Sequence, residues 1–257
     1  STDRTNYWEV VPTGALDLAL WMESDRMGYL LPALTDKKFE NQREVVINER
    51  RQNYENRPYG LALMAIVASL FPPDHPYNWM TIGSAEDIRA MEFEDVREFF
   101  RTYYRPANAS LVLAGDIATE RAFELADRYF GDLPAGVKPA PVSASASLEG
   151  ERRLLLEDRV ERQRIYMAWL TPAMYAPGDS ELDLVGDMLA NGKTARLYKT
   201  LVYERRVALD VSAAQQSREM AGYFVLAVTP APGASLPDLA AAVDEEIARL
   251  AAEGATS

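Results

Sequence analysis

Apolar positions recur along the chain in two rhythms, alternating in short runs and returning every three or four residues in longer ones. Tyr7-Trp8-Glu9-Val10-Val11 is aromatic and β-branched and is closed by Pro12, which predicts a short strand. Leu16, Leu20, Met27 and Leu31, with Trp21 between them, then fall at helical spacing as far as Pro32. A second helix, capped by Thr35 or Asp36, is expected to end before Pro58, with Phe39, Gln42, Val46, Glu49 and Asn53 on one stripe. The apolar run 61–71 predicts a buried helix of about three turns, too short to cross a membrane. The turn Pro72-Pro73-Asp74-His75-Pro76-Tyr77 follows. Helices are expected over 85–91 and over 94–104, the latter with Val96, Phe99, Phe100 and Tyr103 inward. The continuous apolar run 109–115 reads as a strand, and Thr119 as the cap of a helix to Tyr129.

From Gly131 to Gly150 the pattern stops. Three prolines and the run Ser143-Ala144-Ser145-Ala146-Ser147 are too small and polar to pack a core, so the stretch reads as a linker. Strands over 153–157 and 165–170 follow it, then helices over 180–189 and 194–206, adjacent strands over 209–214 and 223–228, and a helix over 236–252. The expected fold class is α+β: two similar lobes, 1–132 and 151–257, across the linker 133–150.

Charge and composition narrow the chemistry. The net charge of −12 argues against a nucleic-acid partner, because binding a phosphate backbone rests on clustered Lys and Arg, whereas the arginines here are interleaved with acids. With no cysteine, thiolate metal sites, a cysteine nucleophile and a disulfide scaffold are excluded, and the compartment stays open. The single histidine, His75, excludes a multi-histidine metal site made by this sequence alone. No signal peptide is visible in the polar stretch 1–6, and no membrane span in the segment.

Glu49 is the candidate of most interest. A carboxylate within a half-apolar stripe needs a positive partner. Arg43, Arg50 or a residue of another element could supply it, and so could a metal ion; periodicity alone leaves both open. His75, between Pro-Asp and Pro-Tyr, is expected to hydrogen-bond and pack within its turn. Gly115-Asp116 lacks the second glycine and the lysine of a nucleotide loop. Gly192-Lys193-Thr194 lacks the earlier glycine of a phosphate loop and reads as a helix start. No Gly-x-Ser-x-Gly elbow occurs.

Several separate segments carry a resemblance. NQREVVINERRQNYENRPYG around Glu49 resembles the M16 zinc metallopeptidases (the pitrilysin, insulinase and mitochondrial-processing-peptidase group), and DRTNYWEVVP, LALWMESDRMGYL, HPYNWMTIGSAEDI and FFRTYYRPANASLVLAGDI are similar to its bacterial branch. ARLYKTLVYERRVAL resembles the matching part of the second lobe.

The resemblance implies a zinc-dependent endopeptidase acting on peptides or unfolded polypeptides. In that family two histidines of an inverted His-x-x-Glu-His motif and a glutamate on a later helix bind zinc, and the motif glutamate is the general base. Glu49 matches the later ligand. The motif itself is absent and is expected upstream of Ser1, by about thirty residues. The chain thus resembles a peptidase domain without its first strands and motif helix, cut short near Ser257, inactive alone and holding zinc weakly or not at all.

Gln42 stands where many relatives carry a further glutamate, a departure expected to weaken or retune the site. Val202 and Leu209 stand where family members carry a substrate-binding Arg and Tyr in the half facing the zinc half. The likeness therefore implies a metal-bearing half that closes with a second half or subunit around its substrate. The alternative is a non-catalytic subunit completing a partner's peptide chamber. By analogy with bacterial relatives, the periplasm or cell envelope is favoured over the cytoplasm.

Overall fold

A strand persists only where a neighbour takes up its backbone hydrogen bonds. In the computed structural model, which describes residues 1–255, three segments meet that condition: β1 (Ile165–Thr171), β2 (Ala208–Gln216) and β3 (Gly222–Pro230). They form an antiparallel sheet in the order β1-β3-β2, with Ile165 opposite Val228 and Val211 also opposite Val228. A register shift between Ala208 and Asp210 marks a bulge at the start of β2. The helices are α1 (Leu16–Ala33), α2 (Asp36–Arg50), α3 (Ala62–Leu70), α4 (Ala85–Ala90), α5 (Phe93–Tyr103), α6 (Thr119–Phe130), α7 (Asp179–Ala190) and α8 (Leu236–Glu253). This is the expected α+β class.

Contacts divide the chain into two compact units, Asp3–Arg51 with Ile82–Val142, and Gln52–Thr81 with the chain from Ser143 onward. The sequence pattern had placed 52–81 in the first lobe. Its tertiary contacts attach it to the second unit, because α3 is apolar on most of its surface and packs against β1 there.

In the second unit the central strand β3 is covered on both faces. Phe224, Leu226 and Val228 point into a core with Leu189 of α7 and Leu239, Val243 and Leu250 of α8. Tyr223 points the other way, into a cluster with Val67 and Leu70 of α3, Phe71 and Tyr77. Side chains alternate across a strand, so a near-continuous apolar run is what two covers require. The segment 52–81 is further tied down by Tyr59, whose N–H donates to Asp158 Oδ2 at 2.8 Å and whose hydroxyl donates to the Arg162 carbonyl at 2.8 Å. Arg152 also donates to the Ser69 carbonyl at 2.7 Å.

Asp179, only 4% exposed, joins the start of α7 to the β2–β3 hairpin. Its carboxylate accepts from Ser217 Oγ at 2.6 Å, the Tyr175 N–H at 2.9 Å and Gln215 Nε2 at 3.1 Å. The Ser217 bond, with those of Tyr175 and Gln215, holds this carboxyl below its ordinary value of 3.8 against the opposing effect of burial. A lowered native value contributes stability above pH ~3.8 that is lost as pH falls through the folded value. Asp179→Ala is expected to cost about 2–4 kcal/mol in a urea melt, since it removes charged hydrogen bonds and leaves buried donors unpaired.

In the first unit α1 is anchored to α6, where Tyr129 donates to Asp17 Oδ1 at 2.9 Å. Gly28 of α1 faces Leu133 so closely that a Cβ there would clash with its Cδ2. The apolar side chains buried in this unit are Leu20, Phe39, Ile47, Ile88 and Leu125. The runs 7–11 and 109–115 here, like 153–157 in the second unit, were expected as strands and form no ladder among the described residues. Trp8 at 79%, Val10 at 88% and Val112 at 83% exposure fit this: their composition suits a sheet, and among the described residues no strand pairs with them. In α5 the expected inward face is only half realised, since Val96 and Phe100 are half-buried while Phe99 and Tyr103 are exposed.

Candidate metal-ligand helix

Helix α2 begins at Thr35, whose hydroxyl accepts from the Lys38 N–H at 3.3 Å, as its N-cap chemistry predicts. Its fixed face runs through Phe39, Arg43 and Ile47, each four residues after the last. Phe39 stacks on Phe93 of α5 at 5.7 Å between ring centres. Arg43 lies over the Phe39 ring, pairs with Glu40, and donates to the Met91 carbonyl at 2.9 Å. Ile47 is 3% exposed. After Arg50 the helix widens into a π-turn, Arg51–Glu55.

Glu49 therefore lies off the buried face. Of the stripe expected from the sequence, Phe39 is buried and Val46 half-buried, whereas Gln42, Glu49 and Asn53 are exposed. The stripe was assigned about one residue, or 100° of helix rotation, away from the face that packs. The desolvation argument for a cation is thereby overturned, because water solvates an exposed carboxylate. Neither Arg43 nor Arg50 forms an ion pair with Glu49, and no hydrogen bond to its side chain is found among the described residues. The carboxylate stands at the solvent face of a helix whose opposite side is held by packing.

Zinc requires three or four ligands. Among the described residues no group of three or more His, Asp or Glu side chains is arranged to hold a metal ion. Glu49 fits as one oxygen ligand and falls short of a site. His75 lies in the second unit, buried in its turn, where its Nδ1 accepts from the Tyr77 N–H at 3.0 Å. Gly192, at φ 89°, sits in a turn before the π-helical stretch Tyr198–Glu204, consistent with a loop rather than a phosphate cradle. Sequence reasoning missed the Asp179 network, for which the only signal was an acid following Gly178 at a helix start.

A family model for the peptidase M16 inactive domain matches residues 90–257. The chain belongs to the M16 peptidase family. Helix α2 and Glu49 precede the matched segment. The zinc protease PqqE of Helicobacter pylori is 29% identical over 212 residues, covering 81% of this chain and 47% of that protein. The chain thus spans about half the length of this curated relative. Its fold is that of a Helicobacter pylori protease crystal structure, with TM-score 0.85 and 23% identity over 96% of this chain and 60% of that one. The periplasmic protease PqqL of Escherichia coli shares the fold at TM-score 0.73 and 15% identity, over 97% of this chain and 28% of that one. No helix among the described residues is long and apolar enough to cross a membrane.

Proposed function

We propose that the chain is part of the metal-bearing half of a zinc-dependent metalloendopeptidase that hydrolyses peptides or unfolded polypeptides. Glu49 is one zinc ligand in this reading, and the remaining ligands and the general base come from residues outside these 257. The observation that carries it is the exposed Glu49 carboxylate, unpaired among the described residues, on a helix held at Phe39, Arg43 and Ile47. Likeness to a protein named as a zinc protease supplies the metal's identity. A carboxylate completing such a site leaves one position for water, the arrangement that metal-assisted hydrolysis uses. The partner is a second M16-like half or subunit, and the periplasm or envelope is the expected compartment.

The match to an inactive-domain model favours a second reading, a non-catalytic subunit that shapes a partner's peptide chamber. Zinc retention separates the parts of the proposal. The 257-residue chain alone is expected to lose zinc on dialysis, whereas the full-length parent retains it. Stoichiometric zinc on the isolated chain would contradict the placement of the other ligands; a metal-free parent would favour the second reading.

A further inference from the structure

His75, the only histidine of the chain, is 2% exposed and wedged between Phe71 and Tyr77, with ring centres 4.8 and 5.1 Å away. Its Nδ1 accepts from the Tyr77 N–H at 3.0 Å, so the neutral ring carries its proton on Nε2. Nε2 is buried and has no hydrogen-bond partner among the described residues, and the Ala144 backbone lies near the ring. Across the same cluster stands Arg218, 9% exposed, from the hairpin between β2 and β3. Its guanidinium carbon lies 5.0 Å from the Tyr77 ring centre, 4.9 Å from that of Tyr223 and 5.9 Å from that of Phe71. The Met220 N–H donates to the Tyr77 hydroxyl at 3.1 Å, which closes the connection between turn and hairpin.

A second proton on His75 meets two obstacles in this arrangement. Nδ1–H would confront the Tyr77 N–H, donor against donor, and the imidazolium would add a cation beside Arg218 within an aromatic, water-poor cluster. We propose that His75 is an acid-sensitive pin: neutral, it locks the turn 72–77 against the β2–β3 hairpin, and on taking up a proton it releases that turn.

The groups near the ring are Asp74, which favours the proton, Arg218, which opposes it, the Ala144 backbone, which favours it, and the phenol of Tyr77, with Tyr223 lying against Arg218. Burial is the largest influence and pushes the His75 pKa below its ordinary 6.5. A histidine lowered in the native state contributes its full stability above the unfolded value, about 6.5, and that contribution declines as pH falls from there toward the folded value.

In the 257-residue chain the lone histidine gives one Hε1–Cε1 cross-peak, so its titration is read without assignment. The midpoint is expected below 6.5. Hydrogen exchange at the Tyr77 and Met220 amides, corrected for its intrinsic pH dependence, is expected to speed up at least about tenfold between about pH 7.5 and about pH 5, with α8 unchanged. His75→Gln, which keeps an acceptor and cannot titrate, is expected to make that exchange independent of pH. Arg218→Met is expected to raise the midpoint. A midpoint at or above 6.5, or protonation of His75 without faster exchange at Tyr77 and Met220, would overturn the proposal. The wild-type cross-peak and exchange rates decide even if a variant fails to fold.

Discussion

Leu226→Ala is expected to lower the unfolding free energy of the second unit by about 2–5 kcal/mol, the range for emptying a fully buried leucine site. Leu226 is 0% exposed at the middle of β3, opposite Met167 of β1 and Ala213 of β2. Its side chain belongs to the cluster of Leu189, Leu197, Leu201, Leu239 and Val243. Backbone bonds on both sides fix the central strand, so the surrounding atoms have little freedom to collapse into the cavity. The urea midpoint should fall while the slope stays constant. Val112→Ala, at a position 83% exposed, should change stability by no more than about 0.5 kcal/mol. Equal effects at the two positions would contradict the core described for the second unit.

Glu49→Gln in the full-length parent is expected to reduce peptide hydrolysis by at least about 100-fold, because losing a direct ligand should cost no less than the 10–100-fold typical of groups that merely orient ligands. The same substitution should shift the thermal stability of the metal-free protein by no more than about 0.5 kcal/mol, since the side chain is exposed. That contrast between lost activity and unchanged stability is the signature of a ligand. A structural glutamate would lose both together, and an uninvolved surface glutamate neither.

Helices were the most legible part of the sequence, and the reason is local. Spacing, the Thr35 cap and Pro58 bounded α2 closely, although its terminal turn widened into a π-turn that no spacing rule announces. The strands β1, β2 and β3 were legible because each finds a partner in the chain. Equally apolar runs at 7–11 and 109–115 form no ladder, since pairing depends on a neighbour that a run's own composition does not specify. Attachment of 52–81 to the second unit was hidden for the same reason, as it rests on long-range contacts of Tyr59, Tyr77 and α3.

At the candidate site, residue type and motif pointed to Glu49, while the argument from its stripe did not hold. Helical periodicity names the residues sharing a face, and a rotation of one residue moves the buried edge from Glu49 to Ile47 and Arg50. His75 was legible as a histidine that packs and hydrogen-bonds within its turn, whereas Arg218 beside it gave no signal, because it comes from a hairpin more than 140 residues away.

The most direct test of Glu49 as a metal ligand is the zinc content of the full-length parent after gel filtration, wild type against Glu49→Gln. The account predicts zinc bound to the wild type and lost from the variant, with both proteins equally folded. Equal zinc in the two would contradict it.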